Sequence, residues 1–192
     1  MISRCINALI FLITLYLFIH DTRSDGHFDK KKTRVIFRFF TEQSNVFCAL
    51  AALSLFLFPD AYWAWLLKYL GTAAVAVTLL TVFLFLAPST GNLKGLLSGS
   101  SLFLHLITPL LAIISFSFFE KRGMSFSAAL LGMLPVILYG ALYLRKVVYS
   151  PEEERWDDFY GFNKGGKWPI AFAAMLAGTF VVCIILMCLQ NM

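Results

Sequence analysis

Charge is the first thing this chain has little of. Only 14% of its 192 residues are Asp, Glu, Lys or Arg, against about 25% in an ordinary soluble domain, and 59% are hydrophobic against about 45–50%. Cysteine is sparse too: Cys5, Cys48, Cys183 and Cys188 sit in or at the ends of apolar runs, with no C-x-x-C spacing. That argues against a thiolate metal site and fits small buried hydrophobes, with a Cys5–Cys188 bridge as the alternative. No small-x-small cleavage signal follows the first apolar stretch, which runs into His20-Asp21-Thr22-Arg23. That stretch is therefore expected to be a retained helix rather than a signal peptide. Internal repeats and a separate polar domain are also missing.

Long apolar runs are abundant. A spanning helix needs about 20 apolar residues, and six segments qualify: Cys5–Ile19, Phe40–Phe58, Trp65–Leu86, Leu102–Phe119, Phe126–Leu144 and Pro169–Leu189. The mean hydropathy of +0.77 agrees. The expected fold is all-α, a single six-helix transmembrane bundle over residues 1–192. Tyr62, Trp63, Trp65 and Tyr69 form an aromatic belt where the third segment begins. Pro109, four residues beyond His105, removes the hydrogen bond to the His105 carbonyl and predicts a kink. Glu120-Lys121-Arg122-Gly123 turns the chain.

A net charge of +5 in a soluble protein would suggest nucleic acid. Here the cations flank apolar runs and read as topology signals, so nucleic-acid binding is rejected. Twelve of the sixteen Lys and Arg fall in the first, third and fifth loops, among them Arg23, Lys30, Lys31, Lys32, Lys94 and Arg145. Arg4, Lys68, Lys121 and Arg122 fall on the other side. The odd loops are expected to face the cytoplasm. Lys30-Lys31-Lys32 also suits contact with anionic membrane lipids.

Within this frame two positions stand out. The second segment opens with Phe39-Phe40-Thr41-Glu42-Gln43-Ser44-Asn45, where Thr41, Ser44 and Asn45 share one helical face. The fourth holds His105, the one histidine inside an apolar run, on a stripe with Ser98, Ser101, Thr108, Ala112 and Ser115. Each is entered from an odd loop, so Thr41 and His105 share a leaflet, roughly 3–8 Å below the helix entry at 1.5 Å per residue. A hydroxyl and an imidazole at one depth suit a nucleophile and its base.

Blander readings stand beside this one. Membrane threonines commonly bond a carbonyl one turn back, and Asn45 suits interhelical bonding worth about 1 kcal/mol. An ionisable residue such as His105 in a membrane segment is a functional candidate by default. His20 and His27 with Asp21, Asp25 and Asp29 lack metal-ligand spacing and read as solvated loop residues. No metal or cofactor is expected. Asp157 and Asp158 are either solvated charges or a partner that orients His105.

Phe40-Thr41-Glu42-Gln43-Ser44-Asn45 and His105-Leu-Ile-Thr108-Pro109-Leu110 resemble the signature runs of the six-helix hydrolases of fatty acid esters of hydroxy fatty acids (FAHFA). That family includes the animal androgen-induced protein, the androgen-dependent regulator of tissue factor pathway inhibitor and prokaryotic relatives. A weaker likeness lies in Tyr160-Gly161-Phe162-Asn163, where relatives show a Y-P-Y-x-F-x-D form; Gly161 and Asn163 depart from it. The resemblance implies an integral-membrane lipid esterase, in the inner membrane for a bacterial member, with Thr41 as nucleophile and His105 as its partner. Its substrate would be a lipid ester drawn from the bilayer. Ser44 and Asn45 are candidate oxyanion donors, and Thr108 and Ser101 candidate pocket residues. The alternative is a non-enzymatic lipid-binding or proton-coupled transport protein in which His105 senses protons or touches the substrate.

Overall fold

The computed structural model describes all residues, Met1–Met192. Six helices are long and apolar enough to cross a membrane: α1 (Ile2–Asp21), α3 (Phe40–Leu57), α4 (Tyr62–Thr90), α5 (Ser100–Phe119), α6 (Phe126–Tyr149) and α7 (Trp168–Asn191). This is an all-α bundle with the architecture of a multi-pass integral membrane protein. A short helix, α2 (Lys30–Ile36), lies in the first loop. The only sheet is a two-residue hairpin, β1 (Arg23–Ser24) with β2 (His27–Phe28). Asp25 and Gly26 both take positive φ between its strands, as a tight two-residue hairpin turn demands. Asp29 caps α2 by accepting from the Lys31 and Lys32 amides at 2.8 and 3.0 Å, which occupies a residue otherwise available to a loop metal site.

The centre of the bundle is α4, whose face from Ala64 to Thr78 is almost wholly buried. It packs on α3, α5, α6 and α7, while α1 closes the opposite side of α3 and α5. Small residues set the closest approach. A Cβ on Gly71 would lie 2.8 Å from the Cys48 backbone, so glycine is what allows α3 and α4 to touch. Trp65, Tyr69 and Phe116 fill the core beside it.

The odd-numbered connections gather at one end. There Ser100 donates to Asp21 across 3.0 Å, and the Phe39 and Phe159 rings lie 4.5 Å apart. At the other end the Arg122 guanidinium donates to the carbonyls of Pro59 and Asp60, and Ser3 donates to Glu120. Two residues depart from the sequence reading here. Lys68, counted with the cations of the opposite side, is fully buried within α4. Glu120, read as part of a turn, is 7% exposed.

Pro109 acts through a π-turn over Phe103–Ile107. The Thr108 amide bonds back to the Phe103 carbonyl, and Pro109 has no N–H to offer. The Thr108 amide, the ordinary α-helical donor to the Leu104 carbonyl, is thereby diverted, and that carbonyl is left to accept from a side chain.

Candidate functional site

Thr41 occupies the first turn of α3, and its hydroxyl lies 3.5 Å from His105 Nε2, the long limit for a hydrogen bond. Five other threonines, Thr22, Thr33, Thr78, Thr90 and Thr179, turn their hydroxyls back to the carbonyl four residues earlier. Thr41 does not. It is the second residue of α3, so the residue four back, Phe37, lies outside the helix, and the hydroxyl is left turned toward His105.

The other ring nitrogen fixes the tautomer. His105 Nδ1 lies 2.7 Å from the Leu96 carbonyl, which can only accept, so Nδ1 carries the proton and Nε2 presents its lone pair to Thr41. Leu96 ends a single helical turn, Leu93–Leu96, that begins where the Asn92 side chain accepts from the Gly95 amide at 2.9 Å. Carbonyls at the end of such a turn lack intrahelical donors, and this one takes the imidazole N–H. A main-chain oxygen, not Asp157 or Asp158, therefore orients the ring.

Asn45 donates its amide to the Thr41 carbonyl at 2.8 Å and to the stranded Leu104 carbonyl at 3.0 Å. Both N–H groups are thus committed, and Asn45 clamps α3 to the π-turn of α5 one residue before His105. Ser44 Oγ donates to the Thr41 carbonyl at 3.1 Å and lies 2.9 Å from the Thr78 hydroxyl on α4. Both side chains are engaged with oxygens other than the Thr41 hydroxyl. Thr108 is buried one turn below His105, its hydroxyl unpartnered. Ser101 is half-buried at the start of α5.

The group beside Thr41 that sequence reasoning missed as a donor is Tyr160. Its phenol oxygen accepts from the Phe40 amide at 3.0 Å and sits against the hydroxyl and amide of Thr41, so it caps the N-terminus of α3. Burial pushes the phenol above its ordinary pKa, while the Phe40 amide and the neighbouring Tyr139 and Thr41 groups pull it down. Tyr160 is thus a neutral O–H donor near pH 7. It is held there from below by Tyr143, whose hydroxyl accepts from the Tyr160 amide at 3.2 Å and donates to Asp158 at 2.7 Å. Asp158 also accepts the Phe162 and Asn163 amides, and so shapes the loop rather than the imidazole. The aromatic run before the last helix was the available signal; the 120-residue separation from Phe40 hid its target.

Thr41, Tyr139 and Tyr160 line a cavity with about 20 Å³ open to a water centre, room for one water. It continues on one side into an apolar groove of about 270 Å³ between α4 and α7, sharing Val77, Thr81, Phe162 and Met175. On the other side a second groove, about 430 Å³ between α3, α4 and α6, shares Phe40 and Tyr139. No protein-family model, curated protein or solved structure matches the chain.

Proposed function

We propose that the protein is an integral-membrane hydrolase of lipid esters that works through Thr41 and His105. The observation that carries this reading is one hydroxyl, free of the usual carbonyl bond, 3.5 Å from a ring nitrogen whose partner nitrogen is tied to a carbonyl. Apo catalytic hydrogen bonds are often this long and tighten when substrate binds.

In this scheme a lipid ester enters sideways, its chains in the grooves flanking Thr41 and its ester carbonyl beside the Thr41 hydroxyl. The Thr41 oxygen attacks the ester carbonyl while His105 Nε2 takes the hydroxyl proton. Negative charge gathers on the former carbonyl oxygen, where the Tyr160 phenol and the positive end of α3 stabilise it. Collapse breaks the bond to the alcohol, which leaves with the proton from His105, and the acyl group stays on Thr41. A water deprotonated by His105 then attacks, releasing the fatty acid and returning the proton to Thr41. The odd loops carry most of the cations, which favours a site facing the cytoplasm.

Two grooves opening off the small cavity beside Thr41 suit an ester whose acyl and alcohol parts are both long, in keeping with the FAHFA-type substrate. The rival, a lipid-binding or proton-coupled transport protein, draws on Lys68, fully buried and without a partner, since hydrolysis has no use for it. The test is fatty-acid release from such an ester by protein reconstituted in liposomes. Thr41→Ala and His105→Ala each abolish release while the thermal unfolding profile stays near wild type. Normal release by either variant would overturn the reading, and loss of proton-coupled flux in the same variants would favour the rival.

A further inference from the structure

Four glycines lie inside the spanning helices: Gly71, Gly132, Gly140 and Gly178. Three of them make room for a neighbour. A Cβ on Gly71 would meet the Cys48 backbone, one on Gly132 the Tyr69 and Cys183 side chains, and one on Gly140 the Phe172 ring. Gly178 makes room for nothing within the protein, since no atom lies within 4 Å of the place its Cβ would take. Nor does its backbone call for glycine, because it has no positive φ and sits in the middle of α7. Glycine inside a helix is less stable than alanine, and no contact of this chain offsets the difference.

Gly178 lies on the apolar groove between α4 and α7. Along α7 that groove runs from Ala171 to Val182, about 17 Å at 1.5 Å per residue, with Leu80, Leu84 and Phe85 of α4 opposite. Thr179 and Val182 supply its buried floor. The groove opens at Thr81, Phe162 and Met175 into the cavity beside Thr41. A second helix lying on α7 would also use the space at Gly178, but a helix about 10 Å across cannot turn inward at Met175. A single hydrocarbon chain bends there and leaves its ester at the cavity mouth, beside Thr41.

We propose that the groove holds one hydrocarbon chain of a lipid ester and that Gly178 keeps it open to long chains. Gly178 stands three residues past Met175, about 4.5 Å along the helix. An extended chain advances about 1.25 Å per carbon, from bonds of about 1.52 Å at an angle of about 111°. A side chain at 178 therefore meets the ester's chain from about the fourth carbon beyond the junction. The groove adds little affinity, because a chain leaving the bilayer exchanges one set of apolar neighbours for another. What it supplies is direction, setting the ester carbonyl beside the Thr41 hydroxyl. The identity of that ester as a substrate rests on the hydrolase reading; occupancy of the groove does not.

Gly178→Leu tests it, since leucine fills the groove, meets no protein atom at its Cβ and favours the helix. Symmetric esters with four-carbon or twelve-carbon chains on both sides are compared in liposomes. In the variant, kcat/KM for the long ester relative to the short one falls about tenfold, the effect of one overpacked side chain, while the melting temperature does not fall. A ratio within about twofold of wild type would overturn the proposal. A second measurement needs no cleavage. In Thr41→Ala protein, an ester with a diazirine about ten carbons along each chain labels Thr179 and Val182 on illumination, and adding Gly178→Leu removes that label. Equal labelling there by a phosphatidylcholine with the same chains would give the groove to bulk lipid and overturn the assignment. A dimer in native mass spectrometry that Gly178→Leu turns into monomer would give it to a second copy and overturn it too. Floor labelling without any hydrolysis by wild type would end the hydrolase reading and leave the groove's occupant standing.

Discussion

Tyr160→Phe removes a single oxygen and separates two roles of that residue. The phenol caps the Phe40 amide at 3.0 Å, so its loss costs stability by about 0.5–2 kcal/mol, the range of a lost helix cap. The same oxygen lies against Thr41. If it donates to the developing oxyanion, its removal lowers kcat by about 100- to 1000-fold, or about 2.7–4 kcal/mol of transition-state stabilisation. The packing of the ring on Tyr143, with centroids 5.5 Å apart, and on Phe162, also 5.5 Å, survives in phenylalanine, which confines the change to the hydroxyl. The assay is kcat and KM on a soluble short-chain ester, with thermal unfolding of the same preparation. The expected result is a large fall in kcat, little change in KM and a small drop in melting temperature. A kcat within about threefold of wild type would remove Tyr160 from the transition state.

Further consequences follow from the same contacts. Asn45→Leu strands the Leu104 carbonyl and unclamps α3 from α5, lowering stability by about 1–3 kcal/mol, read as a lower melting temperature with a parallel loss of activity. Asn92→Ala removes the cap of the turn that presents the Leu96 carbonyl to His105. At about 1 kcal/mol for a cap, kcat falls up to about fivefold while KM holds. Gly71→Ala drives a methyl into the Cys48 backbone, 2.8 Å away, and lowers stability by about 1–3 kcal/mol, seen in thermal unfolding. Burial raises the Tyr160 phenol above its ordinary value, whereas in the unfolded chain it ionises near about pH 10. Its contribution is therefore intact below that pH and is lost as pH rises above it, and Tyr160→Phe flattens this alkaline fall in stability.

The membrane spans and the shared depth of Thr41 and His105 were legible in the sequence, because helix rise and alternate crossing follow from apolar length alone. What the sequence hid came in three kinds. The Leu96 oxygen that orients His105 belongs to the main chain, which carries no residue signature. Asn45 looked like a donor facing the site, but a π-turn and Pro109 together strand the Leu104 carbonyl, and the amide goes there. Burial of Lys68 and Glu120 was masked by their position near helix ends, where charged residues are normally solvated. Tyr160 lay in a stretch already marked by its aromatics, yet nothing local indicates which helix end a loop tyrosine will cap.

The proposed hydrolysis stands or falls with Thr41 as the covalent nucleophile. Peptide mass spectrometry after treatment of the folded protein with a fluorophosphonate tests it most directly. The expected result is one phosphonyl group per chain, on Thr41, absent from Thr41→Ala and much slower to form in His105→Gln. A protein that stays unlabelled while it cleaves esters, or that carries the label on another residue, contradicts it.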